Sequence, residues 1–353
     1  MKQAFFVGGY TTPETLGIHV LEIDTETGAL SPIAVVPGID NPIYFAIDKA
    51  RKHLYVAQGD EPGGDRMSNG AVAVYKIGKD YGLTLLDKRA THFSVPCYIA
   101  LDRDEKSLLY AEYACAHAGV VGLKADGSFK KGDGVSIQHV GSGPNPKRQE
   151  AAHVHCSVTA PGNKIMLACD LGQDTVFAYD FQTWPKGLAR LPESDIHTAP
   201  GAGPRHLIFS SDGRFAYLVN ELLSTVQSFA FDGRTFSELQ TLPMLPPAIC
   251  GDSKAAAIRL SPDGKWLLAS NRGHDSIAAY RVGDDGLLGV PVISRLTGRF
   301  PRDFVFVPNS RFLLVGHKLS NELAVYSFDD TNGLITRWNA TYAMNRPLAI
   351  ACI

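Results

Sequence analysis

Hydrophobic positions along this chain fall in short runs of five to seven residues, rich in Val, Ile, Phe and Tyr and separated by Gly, Asp, Pro and Asn. Runs of that length between turn formers predict β-strands, and almost nothing follows the spacing of an amphipathic helix. The runs also recur in a fixed order: strand, turn, second strand, polar turn, third strand. The fullest copy spans residues 204–220 and then 224–231, and it is repeated at 257–271 with 275–280 and at 301–315 with 322–326. The pairs Asp212-Gly213 and Asp263-Gly264 mark the turn after the first strand and have no further role. Three more copies begin near Pro42, Pro96 and His153, about 50 residues apart. A weaker fourth strand closes most units, as at residues 83–87.

A seventh copy is divided between the chain ends. Residues 346–353 read as a first strand with nothing after it, and residues 3–10 as a second strand with nothing before it. Joining them completes one unit. Seven units of four short strands at this period predict an all-β chain, a seven-bladed β-propeller with four-stranded antiparallel blades. It forms one domain over residues 1–353, closed by pairing the C-terminal strand with the N-terminal strands, which removes the open edges. A pair of β-sandwiches, the competing reading, explains neither the shared phrase nor the split ends. Two loops exceed what the repeat needs, at 59–70 and 141–150, and long loops in compact domains tend to carry function.

Composition narrows the function. Hydrophobic residues make up 45%, charged residues 20%, and the net charge is −2 with a pI near 6.6. No basic footprint for nucleic acid and no polybasic run for a membrane surface is present. The opening residues, interrupted by Gly8 and Gly9, do not resemble a signal peptide, and no run approaches a membrane helix, so a cytosolic location is expected. Six scattered cysteines without a CxxC pair, Cys250 among them, read as reduced thiols, most of them buried. The sequon at Asn339 has no meaning without secretion. There is no GxSxG elbow, HExxH pair or phosphate-cradling glycine loop, so neither a metal nor a cofactor is expected. A closed propeller has few edges to pair, and a monomer is expected.

In a propeller the first strand of each blade lines the central channel and the second runs back beside it. The start of one and the end of the other therefore share a rim. Taking the turns at Pro161, Ser211, Pro262 and Pro308 as origins, six residues upstream lie His155, Arg205, Ala256 and Arg302. Ten residues downstream lie Leu171, Glu221, Arg272 and Lys318, each preceded by Asp170, Asn220, Asn271 or His317. Elsewhere these strands are mostly Leu, Ile, Val, Phe and Ala, and buried charges are costly unless paired or used. Their gathering at one rim marks the candidate site. Alternation puts His153 on the face of His155, while His117, His197 and His274 read as surface loop residues.

At these residues the chain resembles a known family. The phrases Arg148-Gln-Glu-Ala-Ala-His-Val-His155, Gly203-Pro-Arg-His206, Val219-Asn-Glu221 and Ser270-Asn-Arg-Gly273 are similar to the seven-bladed lactonase family. That family includes bacterial propeller-type 6-phosphogluconolactonase and fungal 3-carboxy-cis,cis-muconate cycloisomerase, and the resemblance covers essentially the whole chain. It implies a site of His155, Arg205, Arg272 and Glu221 acting on a small anionic sugar lactone. Relatives of the phosphogluconolactonase type tend to carry an acidic residue at the start of the sixth blade, where this chain has Ala255-Ala-Ala-Ile258.

Lactone hydrolysis needs an activated water, an oxyanion stabiliser and a proton for the leaving alkoxide. His155 is the expected base, and Arg205 and Arg272 the expected anion holders. Glu221 would orient an arginine or act as the acid. Arg302, Arg148 with Lys147, His153 and Asp170 are expected around the substrate. Three alternatives stand beside this reading. A muconate-type cycloisomerase could use the same basic rim. A calcium-dependent lactonase could use Asp170, Asn220, Glu221 and Asn271. A non-enzymatic scaffold is the third, although Trp184, Trp266 and Trp338 follow no blade repeat.

Overall fold

The computed structural model describes residues 1–12, 17–59, 69–91, 94–247 and 252–353. Most of the 59–70 loop, and Cys250, lie outside these residues. The strands form seven antiparallel sheets, six of four strands and one of five. The first strands of successive sheets touch in a closed ring: Pro347–Cys352, Tyr44–Ile47, Tyr98–Leu101, Val154–Thr159, Pro204–Phe209, Lys254–Leu260 and Pro301–Phe306, which returns to Pro347–Cys352. Numbering the blades in that order, blade 1 is the one divided between the chain ends. Its order is Pro347–Cys352, Lys2–Gly9, Ile18–Asp24, Leu30–Val36. Val7 faces Ile350, Phe6 faces Ala351, and the Gln3 amide donates to the Ile353 carbonyl.

The repeated turn explains why the phrase folds as it does. In blade 6 the Ser261 hydroxyl donates to Asp263 at 2.6 Å and accepts from the Trp266 amide at 3.0 Å. Gly264, at φ +73°, supplies the left-handed position that a side chain would resist. Blade 5 repeats the arrangement with Ser210, Asp212 and Gly213. In blade 4 the left-handed residue is Asn163, at φ 56°.

Packing runs between blades. Second strands such as Ser107–Glu112 and Phe312–His317 are buried along their whole length, whereas outer strands such as Leu83–Ala90 are mostly exposed. Phe5, Val7, Leu21 and Ile23 of blade 1 pack with Phe312, Leu314, Leu323 and Val325 of blade 7. Each such side chain contributes roughly 1.5–3 kcal/mol on burial. No helix among the described residues is long and apolar enough to cross a membrane. Among the described residues the helical content is three single turns, all in blade 4, at Leu171–Gln173, Phe181–Thr183 and Pro192–Ser194. There Pro185 and Pro192 interrupt the outer edge, and two short pieces, Ala189–Arg190 and Ile196–His197, replace one fourth strand.

Two histidines differ from the sequence expectation. His117 begins a strand, His117–Leu123, and is buried; His274 is buried with its Nδ1 2.8 Å from the Ser276 hydroxyl. His197 is exposed as expected. The five described cysteines are thiols, with Cys97, Cys156 and Cys169 buried.

Candidate active site

The rim is built by a backbone irregularity that recurs around the ring. In blade 4, Val154 faces Asp170 and Cys156 faces Cys169, which leaves His155 as an extra residue. The same slip falls on Arg205 in blade 5, on Ala256 and Ala257 in blade 6, and on Arg302 in blade 7. In blade 1 it falls on Leu348. A β-bulge re-aims one side chain without ending the strand. Ile43 and Cys97 join His155 and Arg302 around a small pocket, with Tyr10, Val95 and Tyr113. Ile43, Val95 and Leu348 also pack together. One side of the mouth is therefore apolar and the other carries His155, Arg205 and Arg302.

Glu221 is the centre of the charged side. Its amide donates to the Gly203 carbonyl at 2.7 Å, and its own carbonyl accepts from the Ala255 amide at 3.0 Å. This clamp fixes it just past the strand Phe215–Asn220, at 2% exposure. Its carboxylate meets three guanidiniums: Arg148 Nη2 at 2.6 Å on Oε1, and Arg205 Nε at 3.0 Å and Arg272 Nη2 at 2.7 Å on Oε2. His155 Nε2 lies 4.0 Å from the same Oε2. Arg272 also donates to the Ala255 carbonyl at 2.7 Å and covers the Phe300 ring, and Arg205 donates to the Ala256 carbonyl. At the alanines of blade 6, main-chain oxygens thus receive arginine donors.

Burial alone would raise the Glu221 pKa. The guanidiniums of Arg272, Arg205 and Arg148 outweigh it and hold the carboxyl well below the usual range. Burial, with repulsion from Arg272 and Arg302, brings Arg205 down to about 9, still charged at neutral pH. Burial and the charges of Arg205 and Arg302 push His155 well below its ordinary value, so its imidazole is neutral. Among the described residues, the guanidiniums of Arg148, Arg205 and Arg272 meet the Glu221 carboxylate, and Arg302 lies near His155. Such a site favours an anion, and guanidiniums suit carboxylate or phosphate.

The structure brings together His155, Arg205, Glu221, Arg272 and Arg148, with Arg302 beside His155. Arg148 reaches the site from the 141–150 loop, which is anchored by buried Gln149 on the Leu171 carbonyl and Asp174. His153 and Asp170 stand apart. The His153 ring stacks on Tyr113 at 4.3 Å, with its nitrogens engaged by the Tyr113 carbonyl and Glu150. Asp170 is wholly buried, and its oxygens accept from His139, Gln173 and the amides of His153 and Gly172. It has no approach to a substrate, because strand alternation turns the residue before the rim position away from the channel.

Tyr113 is the residue that the sequence reading missed. Its hydroxyl accepts from Arg148 at 3.2 Å, and its ring meets His155 edge-on at 5.5 Å. The signal was present: ten residues beyond Arg103, the matching turn of blade 3, is Tyr113. His206, next to Arg205, is a second omission; it lies buried 3.1 Å from Arg205 Nη1 and 5.2 Å from the His155 ring.

The chain is a closed ring of seven blades with His155, Arg205, Glu221 and Arg272 gathered at one mouth. The family profile described as "Lactonase, 7-bladed beta-propeller" matches residues 4–352, and the chain belongs to that family. It is a lactonase, a carboxylic-ester hydrolase. A 6-phosphogluconolactonase of Bacillus subtilis is 32% identical over 355 residues, covering 99% of this chain and 98% of the relative. An uncharacterised Lactococcus lactis protein is 34% identical, covering 95% of both. The structure of a periplasmic gluconolactonase of Pseudomonas aeruginosa superposes with a TM-score of 0.92 at 30% identity, covering 100% of this chain and 99% of that one.

Proposed function

We propose that this lactonase opens a phosphorylated sugar lactone, 6-phosphogluconolactone, at the mouth formed by His155, Arg205, Glu221 and Arg272. The observation that carries the reading is the carboxylate of Glu221 holding three guanidiniums beside a neutral imidazole. The similarity to a 6-phosphogluconolactonase supports the substrate class.

In this mechanism the neutral His155 takes a proton from a water as that water attacks the lactone carbonyl. Arg205 and Arg272 stabilise the oxyanion. An anionic substrate offsets the cationic field that depresses His155, so its basicity rises when the lactone binds. The imidazolium then returns the proton to the ring oxygen as the ester bond breaks. Glu221 is held too far below neutrality to donate a proton, which removes the acid role from it and leaves that of orienting the arginines. Arg148 and Arg302 hold the phosphate. His153 acts behind Tyr113, and Asp170 supports the backbone of His153.

One observation favours a second reading. The apolar side of the mouth, Ile43, Val95 and Leu348, offers few partners for sugar hydroxyls and suits a lactone with one apolar face, as in a muconate-type cycloisomerase. Turnover of fresh 6-phosphogluconolactone, of unphosphorylated gluconolactone and of a carboxylated muconolactone, each with and without chelator, tests the choice. Fast, chelator-insensitive hydrolysis of the phosphorylated lactone alone is expected; turnover of the muconolactone alone would overturn the proposal. A cytosolic, monomeric protein is proposed with it, on the thiol state of the cysteines and the closed ring, to be checked by fractionation and sedimentation.

A further inference from the structure

The channel has a second opening at its far end, a cavity of about 370 Å³ where the first strands of blades 2 and 3 finish, at Ile47 and Leu101. Its charged residues balance: Lys49, Arg103 and Arg259 stand against Asp102, Glu105 and Asp303. The formal charge of this lining is zero, so its field favours neither an anion nor a cation. The rest of the wall is apolar and aromatic, with Ile99 and Ile350 beside the rings of Tyr44 and Tyr98. Tyr44 is half-buried, and its ring lies 4.5 Å from that of Tyr98. Apolar and aromatic walls with a few convergent polar groups are the usual form of a small-molecule site of this size.

We propose that this far opening binds a neutral sugar in its ring form, a pyranose. The hydrogen bonds at the wall carry the choice. Asp303 Oδ1 accepts from Arg259 Nη2 at 2.9 Å and from the Phe304 amide at 3.0 Å, and its Oδ2 accepts from the Ile350 amide at 3.1 Å. A carboxylate offers about four acceptor sites, so these three bonds leave room for one more donor. Arg259 also donates Nε to the Phe304 carbonyl at 3.2 Å, and its side chain is 30% exposed. A guanidinium carries about five N–H groups, more than these bonds use. An acceptor and donors therefore stand side by side on one ion pair. A hydroxyl both accepts and donates, so neighbouring sugar hydroxyls can accept from Arg259 and donate to Asp303 with no charge to neutralise. An anionic ligand would meet the Asp303 carboxylate, and a cationic one the Arg259 guanidinium, each at a cost. The C–H face of a pyranose suits the electronegative face of an aromatic ring, which Tyr44 supplies. An open-chain polyol has the same hydroxyls but no fixed face, and it loses more torsional freedom on binding. The site is separate from Glu221 and does not depend on which lactone is opened.

The test is titration of the full-length protein with D-glucose, followed by saturation-transfer NMR and calorimetry, with sorbitol as the open-chain control. A Kd of about 1–10 mM is expected for glucose, the range open to a ligand of that size. Sorbitol should bind roughly tenfold more weakly. Tyr44→Ala, which removes the ring, and Arg259→Lys, which keeps the charge but loses the fork, should each raise the glucose Kd roughly tenfold. No binding of glucose up to about 50 mM overturns the proposal. So does sorbitol binding as tightly as glucose, or a glucose Kd unchanged in both variants, which would put the sugar elsewhere on the molecule. If the variants fail to fold, the contrast between glucose and sorbitol on the wild-type protein decides.

Discussion

The two ends of the central channel make opposite uses of charge. At one mouth a single carboxylate, Glu221, answers to three arginines, with a fourth, Arg302, near His155. At the other, Arg259 and Asp303 meet one to one at 2.9 Å, and two main-chain amides complete the acid's hydrogen bonds. That second end is a cavity of about 370 Å³, with Tyr44 and Tyr98 in its wall, while the pocket beside His155 is smaller. A one-to-one pair in the wider opening holds strands together, whereas at the other mouth one carboxylate is shared among three arginines.

Substitutions can break that contrast. Glu221→Gln should have the largest effect, since it leaves three guanidiniums facing one another. A loss of about 3–5 kcal/mol of stability is expected from removing one partner of a buried ionic group, together with a fall in turnover of roughly a hundredfold or more. Denaturant melts and kcat on the same preparation check both. His155→Asn should lower kcat by a similar factor while leaving Tm near wild type; full turnover in a folded variant would remove His155 from the chemistry. At the other end, Asp303→Asn should cost about 2–4 kcal/mol, less than a wholly buried pair because Arg259 is partly exposed, with kcat per folded molecule unchanged. A collapse of kcat there would erase the distinction between the ends.

Acid should loosen the molecule through its buried histidines. His155 and His206 are held well below their ordinary value by burial and nearby arginines, and burial with the charge of Arg337 holds His317 at about 3. The unfolded chain therefore binds more protons than the folded one below about pH 6.5, and stability rises with pH through that range. Each such histidine contributes a slope of roughly 1.4 kcal/mol per pH unit below pH 6.5. Urea melts between pH 5 and 7 should show the slope, and His317→Asn should flatten it. The smallest effect expected is that of Tyr113→Phe. Losing one hydrogen bond to Arg148 should raise KM roughly two- to tenfold with kcat nearly constant; an unchanged KM would detach Arg148 from substrate binding.

One side of this contrast, the charged rim, was legible in the chain. The recurring strand phrase placed His155, Arg205, Glu221, Arg272 and Arg302 on one rim, because propeller geometry converts a fixed offset from a turn into a fixed height in the channel. The same arithmetic failed at Asp170, one residue from the rim, where strand alternation turns the side chain into the blade. It failed at His153 for a different reason: Tyr113 comes from another blade and takes up that ring. It would have found Tyr113 had it been applied to blade 3.

What the sequence by itself determined was the number of blades, the closure of the ring through the split blade and the set of charged residues at one end. Each of these follows from hydrophobic period and turn chemistry, which act over a few residues. The tertiary structure decided which charges meet. Bulges at His155, Arg205 and Arg302 turn blades 4, 5 and 7 toward one mouth, and a loop from between blades 3 and 4 delivers Arg148 to a carboxylate of blade 5. Charge balance at a point in space is a sum over segments far apart in the chain, and no local pattern records that sum.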